Sequence, residues 1–458
     1  MKRVIQLNGI VCVALVFLAA PQIVLCNETD ATLTPITPGP SMTLKEALAA
    51  TDQRNTSLQA MRLELERAQI QISATWAGLL PHASAQLQYT HADHDDTADM
   101  GGASIVTRRQ DDLSGNLTAS ISLVNLQAWR NVGIARQAKE LTRFNVEEMR
   151  REMLLATSQA YYLAEVSHSL VDMYAEQVHS AKEQLDVAQK KVHAGAGLRL
   201  DEIRAENDLA DAIQEYEDAL LSLDTSRDTL ATLTGTDGLP LPKASPDLLS
   251  PSGDAKGMID AAKGQRPDLA AKKAAIELAE KQVASARSAF VPTLSAGWQG
   301  SYQITEPADM GDTDRSRWST FLTLDIPLFN GSNIITTQNA KVDLRQATIE
   351  EEDAKREESK EIRQGYREYL SAVNQVHNSQ RKVVLAREGL KLAATAYKAG
   401  SGSSLDVTEA RRSVVTAEVS LATARLQSKV SLAALYNALG KDLRDMAERG
   451  GSQLTFHQ

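Results

Sequence analysis

Apolar residues recur every seven positions along two long stretches of the chain. Val171, Val178, Leu185 and Val192 mark one, and Val376, Val383, Leu390 and Tyr397 mark the other. Small residues such as Ala181, Ala188, Ser379 and Ala386 alternate with them. Two later stretches keep the spacing, with Leu209, Tyr216, Leu223 and Leu230 in one and Val407, Val414, Leu421 and Leu435 in the other. A seven-residue period turns one helix face constantly toward a partner and predicts left-handed coiled coils. Small residues at every second seam position predict helices that approach closely.

Elsewhere the period changes from seven to two. Trp318, Thr320, Leu322, Leu324 and Ile326 alternate with Ser319, Phe321, Thr323 and Asp325. Leu117, Ala119, Ile121 and Leu123 alternate with Thr118, Ser120 and Ser122, and Ala83, Ala85, Leu87 and Tyr89 with Ser84, Gln86 and Gln88. Leu294, Ala296, Trp298 and Tyr302 complete the set. About ten residues with one apolar face is the pattern of an outer-membrane strand.

The chain is one unit written twice. VHAGAGLRLDEIRAE at 192–206 matches YKAGSGSSLDVTEAR at 397–411, and Tyr161 with Tyr366, and Asn125 with Asn330, keep the same offset of 205. Leu80-Pro81 matches Val291-Pro292 at an offset of 211, so the first copy carries the longer loop between its strands. Each copy reads helix, strand, loop, strand, very long helix, glycine turn, helix. The first copy predicts helices over 43–79, 126–193 and 200–233, with Thr43 and Glu46 as a capping box, and strands over 83–91 and 115–125. The second predicts helices over 256–290, 332–398 and 405–439 and strands over 293–303 and 317–329. A long helix of about 68 residues spans roughly 100 Å, nearly what the first and last helices of a copy span end to end. The domain reading is therefore repeats at 43–235 and 257–440, a Pro- and Gly-rich linker at 236–256, and a tail at 441–458.

The chain has 458 residues, a net charge of −10 and only 4% aromatics. An acidic chain without a basic stripe is a poor nucleic-acid binder. Lys2 and Arg3 precede an apolar run at 10–20, too short to span a bilayer and suited to an export signal over 1–26, cleaved after Cys26. Acylation of Cys26 is the rival, disfavoured because Leu25 is not small. Cys12 and Cys26 are the only cysteines, so the chain beyond the signal has no disulfide and no thiolate metal site. No later stretch is apolar enough for a membrane helix, so entry into a membrane requires a closed β-barrel. Four strands cannot close one. Two chains would supply eight and three twelve, and arithmetic does not choose.

The repeated pattern [YV]-x-A-G-x-G-x-x-L-D, the heptads after it and the closing L-x-G resemble the TolC-like outer-membrane efflux proteins, from about residue 43 to 440. The resemblance implies a mainly α fold with a small membrane β-barrel. Long antiparallel coiled-coil hairpins would form an α-barrel tunnel in the periplasm. Four strands per protomer would complete a 12-stranded barrel in a homotrimer within outer-membrane lipid. It also implies a periplasmic adaptor and an inner-membrane pump, of RND or ABC type, as partners. The function implied is the exit duct of a tripartite efflux or type I secretion system for small molecules or polypeptides. The alternative is a periplasmic or lipid-anchored coiled-coil adaptor or scaffold without a pore.

By the same resemblance Asp406 and Glu409, one turn apart on a helix face just past the tip, ring the tunnel entrance; the plain reading is an acidic first turn suited to the helix dipole. Asp201, the first-copy counterpart of Asp406, would link to Tyr397 in a latch. The family completes that latch with an arginine, where this chain has Gly402. Gly195, Gly197, Gly400 and Gly402 supply tight turns at the tips, where an adaptor would dock. The stretch His91-Ala-Asp-His94-Asp-Asp96 with Asp99 reads as a solvated acidic loop rather than a metal site. The charge run at 350–358 reads as a helix surface facing outward or into the lumen. Trp76 and Trp129 sit where an aromatic belt would lie, or pack between helices. No P-loop, GxSxG or HExxH appears, and no cofactor or catalytic residue is expected.

Overall fold

The computed structural model describes residues 33–243, 248, 255–262, 264–305 and 314–453. The export signal and Cys26 lie outside the described residues. Residues from 37 onward form one unit; of the preceding unit only 33–36, without regular structure, are described.

In chain order the elements are β1 (Ser41–Met42), α1 (Leu44–Arg54), α2 (Thr56–Ala77), β2 (His82–His91), β3 (Asp96–Met100), β4 (Ala103–Arg108), β5 (Asp111–Val124), α3 (Leu126–His193), α4 (Arg199–Thr234), β6 (Leu241–Pro242), α5 (Ala255–Ala262), α6 (Pro267–Ser288), β7 (Thr293–Gln303), β8 (Ser316–Asp325), α7 (Gly331–Lys398), α8 (Ser404–Ala438) and α9 (Leu443–Gln453). Both long helices have 68 residues, and each begins at an asparagine whose side chain accepts from the first turn, Asn125 from Ala128 and Asn330 from Ser332. No described helix is long and apolar enough to cross a membrane.

The capping box forms as expected: Thr43 N donates to Glu46 Oε2 at 2.8 Å and Glu46 N to Thr43 Oγ1 at 3.3 Å. The first helix of each copy, however, is two helices. Asn55 breaks the first; it adopts ψ 124°, accepts from Leu58 N at 3.1 Å and donates to Leu233 O at 2.9 Å. The second breaks at Gly264, with φ +78°, and restarts at Arg266 with Pro267 in the first turn. These breaks are paired. Gly235 ends α4 against Arg54, and Gly440 follows α8 against Gln265 and Arg266. Both glycines have positive φ, so each copy closes by tucking a left-handed turn onto the broken helix.

The main sheet is antiparallel with order β2-β5-β7-β8. The register aligns Ala85, Leu117, Gly300 and Trp318 across all four strands, so the predicted apolar positions share one face. The opposite face carries Ser84, Thr118 and Gln299 but also Phe321, whose ring covers Gly297. Strands β2 and β8 are the edges, and every residue of both is exposed.

Three strand expectations change. β5 starts at Asp111 rather than 115 and so has 14 residues. β8 stops at Asp325 rather than 329, because Pro327 offers no N–H to a ladder. The loop between β2 and β5 is not all loop: β3 and β4 form a hairpin over Gly101 and Gly102, at φ +63° and +94°.

Helix seams follow the heptads. Val171, Val178, Ala181 and Ala188 of α3 are buried, as are Ala205, Ala212, Tyr216 and Leu223 of α4. Val383 of α7 and Val407, Ala417 and Ala424 of α8 are buried likewise. At mid-length the seams merge into one core around Leu44, Leu48, Leu154, Tyr161, Ile362 and Leu435. The tyrosine landmark Tyr161 is fully buried, its hydroxyl donating to Met42 O at 3.2 Å and to Lys243 O. That pins the short parallel pair β1–β6, of which β6 lies in the first part of the linker, onto α3.

Candidate functional site

The two hairpins, α3–α4 and α7–α8, turn by the same device. Gly195 N donates to Val192 O at 3.0 Å and Ala196 N to Lys191 O at 2.9 Å; Gly400 N donates to Tyr397 O at 3.2 Å and Ser401 N to Ala396 O at 3.0 Å. Each pair is a Schellman motif with glycine in the left-handed position, φ +69° and +75°. The second glycines act through space instead. A Cβ on Gly197 would stand 3.0 Å from Lys191 Cβ, and one on Gly402 3.1 Å from Ala396 Cβ. All four glycines thus do what a reversal of long helices demands.

Beyond the turns the copies differ. Ser403 and Asp406 form a reciprocal capping box, with Ser403 N donating to Asp406 Oδ2 at 3.0 Å and Asp406 N to Ser403 Oγ at 3.3 Å. Leu198 stands where Ser403 stands in the other copy, and α4 has no side-chain cap. Its aspartate, Asp201, is therefore free to reach across, and it accepts from Ser404 Oγ at 2.6 Å. Tyr397 lies beneath Lys191 Nζ, 3.8 Å from the ring centroid. Within one chain Asp201 and Tyr397 therefore hold other partners rather than each other. Asp406 and Glu409 are both exposed and off the apolar seam.

Further rungs join α8 to the first hairpin. Thr408 Oγ1 donates to Asp208 Oδ2 at 3.0 Å, Arg412 Nη2 lies 3.6 Å from Asp211 Oδ2, and Arg411 Nη2 donates to Gln184 Oε1. They border a groove of about 480 Å³ that also contains Glu215. Burial and the neighbouring Asp211 push the Glu215 carboxyl above its ordinary value. Burial pulls the Arg411 guanidinium down, and its Nε and Nη1 have no hydrogen-bond partner. The seams inside each hairpin are apolar, whereas this junction between hairpins is polar. None of Lys191, Gln184, Asp208, Asp211, Ser404, Thr408, Arg411 or Arg412 stands out in the sequence, because nothing in a heptad says which outer faces meet.

The remaining candidates have plainer roles. His91 Nδ1 and Tyr89 Oη both bond Asp111 Oδ1, at 2.7 and 2.6 Å, closing β2 onto β5. Among the described residues no three His, Cys, Asp or Glu side chains gather in an arrangement that could hold a metal. The charge run is not wholly a surface: Glu351 and Glu358 are buried, while Glu350 pairs with Lys272 at 2.9 Å. Helix α6 covers part of that face. Trp76 and Trp129 stack edge to face at 5.2 Å and remain well exposed.

The family model described as "Outer membrane efflux protein" matches residues 47–236 and 258–441. The cation efflux system protein CusC of Escherichia coli O6:H1 is 22% identical over 395 residues, covering 84% of this chain and 83% of that protein. Nodulation protein T of Rhizobium leguminosarum is 26% identical over 397 residues, covering 83% and 78%. Among solved structures, the Campylobacter jejuni CmeC outer membrane channel superposes with a TM-score of 0.73 at 18% identity, covering 90% of each chain.

Proposed function

The chain belongs to the outer membrane efflux protein family and is an outer-membrane exit duct, and from that premise we propose that three copies assemble into one conduit. The observation that carries this is the four-stranded sheet with two bare edges. In lipid an unpaired edge is untenable, so β8 of one copy pairs with β2 of the next until twelve strands close. The apolar face bearing Leu87, Leu117, Trp298, Trp318 and Leu322 then meets hydrocarbon, and the face bearing Ser84, Thr118 and Gln299 meets the water-filled lumen. The long hairpins hang from the barrel as a periplasmic tunnel of roughly 100 Å. The family membership leaves no place for the poreless scaffold alternative.

In this reading the repeats at 43–235 and 257–440 are the structural units, and 1–26 is the cleaved export signal. The glycine tips receive a periplasmic adaptor, which joins the duct to an inner-membrane pump of RND or ABC type. The cargo is a small molecule or a polypeptide. Asp406 and Glu409 of three copies place six carboxylates around the tip, a ring that favours cations. Asp201 and Tyr397 hold the tip narrow at rest, through Ser404 and Lys191 within a protomer.

Fractionated outer membranes test the assembly. An unheated gel should show a trimer-sized species that collapses to the monomer on heating. A monomer alone, or a protein that fractionates with the inner membrane, would overturn it.

A further inference from the structure

The chain is acidic overall, yet the helix ends that meet the sheet are basic. In 126–139, 281–292 and 331–346 stand Arg130, Arg136, Lys139, Lys281, Arg287, Lys341 and Arg345, against the single acid Asp343. Arg130, Arg136 and Arg287 are exposed, and none pairs with a carboxylate among the described residues.

Their placement is specific. Arg130 is in the second turn of α3, about 6 Å below its start at 1.5 Å per residue, and Arg287 is the next-to-last residue of α6. Side chains on a helix lean toward its N-terminus; α3 begins at the sheet, so Arg136 leans toward it, whereas α6 ends there, so Arg287 leans back from the sheet toward the level of Arg136. The Arg136 guanidinium indeed lies 5.9 Å from the ring centroid of Trp76, four residues before Leu80-Pro81 and the start of β2. Trp76 and Trp129 are 36% and 51% exposed, large for paired indoles. The end of the sheet nearest the helices presents Leu123, Leu294 and Leu324, and in the link from β8 to α7 Leu328 and Phe329 are 93% and 85% exposed. Exposed tryptophans flanked by an apolar surface on one side and unpaired arginines on the other suit a boundary between hydrocarbon and charged headgroups.

Resting on the outer-membrane reading above, we propose that Arg130, Arg136 and Arg287, with Trp76 and Trp129, form a collar that binds anionic phospholipid headgroups of the leaflet facing the periplasm. Phosphate oxygens supply the acceptors that the three guanidiniums lack. The indoles seat at the ester level, with Arg136 held over Trp76. The collar fixes how deep the barrel sits, and it recruits anionic lipid around a chain whose net charge of −10 would otherwise repel it.

The test uses the full chain with Trp298→Phe and Trp318→Phe, leaving Trp76 and Trp129 as its only tryptophans. It is reconstituted in vesicles doped with brominated phosphatidylglycerol or, separately, brominated phosphatidylcholine. Each cation near a charged lipid surface contributes about fivefold in partitioning. With three arginines, quenching should therefore favour phosphatidylglycerol on the order of a hundredfold. The preference should fall toward parity in Arg130→Gln, Arg136→Gln, Arg287→Gln and survive the three Arg→Lys changes. It should also weaken between about 0.05 and 0.5 M salt. Equal quenching by the two lipids, or a preference indifferent to both salt and the Gln changes, would sink the collar while leaving the duct intact. Quenching by neither lipid would remove the membrane placement itself, and the collar with it. Should the Gln variant fail to assemble, the salt series on the unaltered collar decides alone.

Discussion

Asp201 Oδ1 accepts a 2.6 Å hydrogen bond from Ser404 Oγ, across 203 residues of chain and between the two hairpins. The bond exists because Leu198 cannot cap α4, so the carboxylate that its counterpart Asp406 spends on Ser403 is available. Ser404→Ala should therefore loosen the tip without unfolding the hairpin. A hydrogen bond to a carboxylate contributes about 1.5–3 kcal/mol. Resting conductance in planar bilayers should rise while the melting of the assembly stays within a few degrees. Ser403→Ala should do the reverse, costing α8 about 1 kcal/mol of capping with little change in resting current. Equal effects from the two serines would mean that neither acts across the hairpins.

For the proposed ring, Asp406→Ala with Glu409→Ala should weaken the block of current by divalent and trivalent cations. Neither residue belongs to an apolar seam, so the coiled coil survives. Because Asp406 also caps α8, the control is Asp406→Asn, which keeps an N3 acceptor for Ser403 N but removes the charge. Block that persists in the double variant would assign Asp406 to capping alone.

Two acids should shift stability with pH in opposite directions. Burial pushes Asp52 up, but the hydrogen bond and charge of Arg150, aided by Arg62 and Arg444, outweigh it and hold the carboxyl below its ordinary value. A depressed folded value means stability present above the unfolded pKa of about 3.9 and lost as pH falls through the folded one. Asp52→Asn should thus destabilise at pH 7 and flatten the acid limb of the melting curve. Glu215 is raised by burial and Asp211, so its ionisation costs stability as pH climbs above about 4.3. Glu215→Gln should stabilise at pH 7 and change nothing at pH 3. Thermal melts across pH 3–8 would expose a wrong sign in either.

Much of this fold is legible because its periods are strict. The ends of α3 fall where the heptad and Asn125 put them, and which residues share a face of each strand follows from alternation alone. The breaks at Asn55 and Gly264 are not legible. A single Asn or Gly inside a helical pattern is usually tolerated, and what decides these is a tertiary partner, Leu233 for Asn55 and the Gly440 turn for Arg266. The β3–β4 hairpin hides behind a charged composition, with only Gly101-Gly102 to announce it. At the tip, glycines, Asp201 and Tyr397 could be named in advance. Their actual partners, Ser404 and Lys191, depend on how two hairpins dock, which no local pattern encodes.

Gly297 and Phe321 offer a test in the sheet. A Cβ on Gly297 would stand 2.2 Å from Phe321 Cζ. Gly297→Val must therefore swing the ring off the strand and into the proposed lumen, narrowing it. Conductance should drop, and Phe321→Ala in the same chain should restore it. A drop that Phe321→Ala leaves in place would trace the effect to the backbone of β7.

The uncapped start of α4 also bears on how the molecule comes into being. Export proceeds from the N-terminus, so Asp201 reaches the periplasm well before Ser404. Until the second copy arrives, the first turn of α4 lacks both a cap of its own and its borrowed partner, and helix ends without partners fray. The α8 end, with Ser403 and Asp406 in place, is complete as soon as it is made. The earlier-born hairpin is thus the later one to be finished. Pulsed hydrogen exchange during refolding should find amides near 199–202 protected only after those near 404–407, although they come first in the chain.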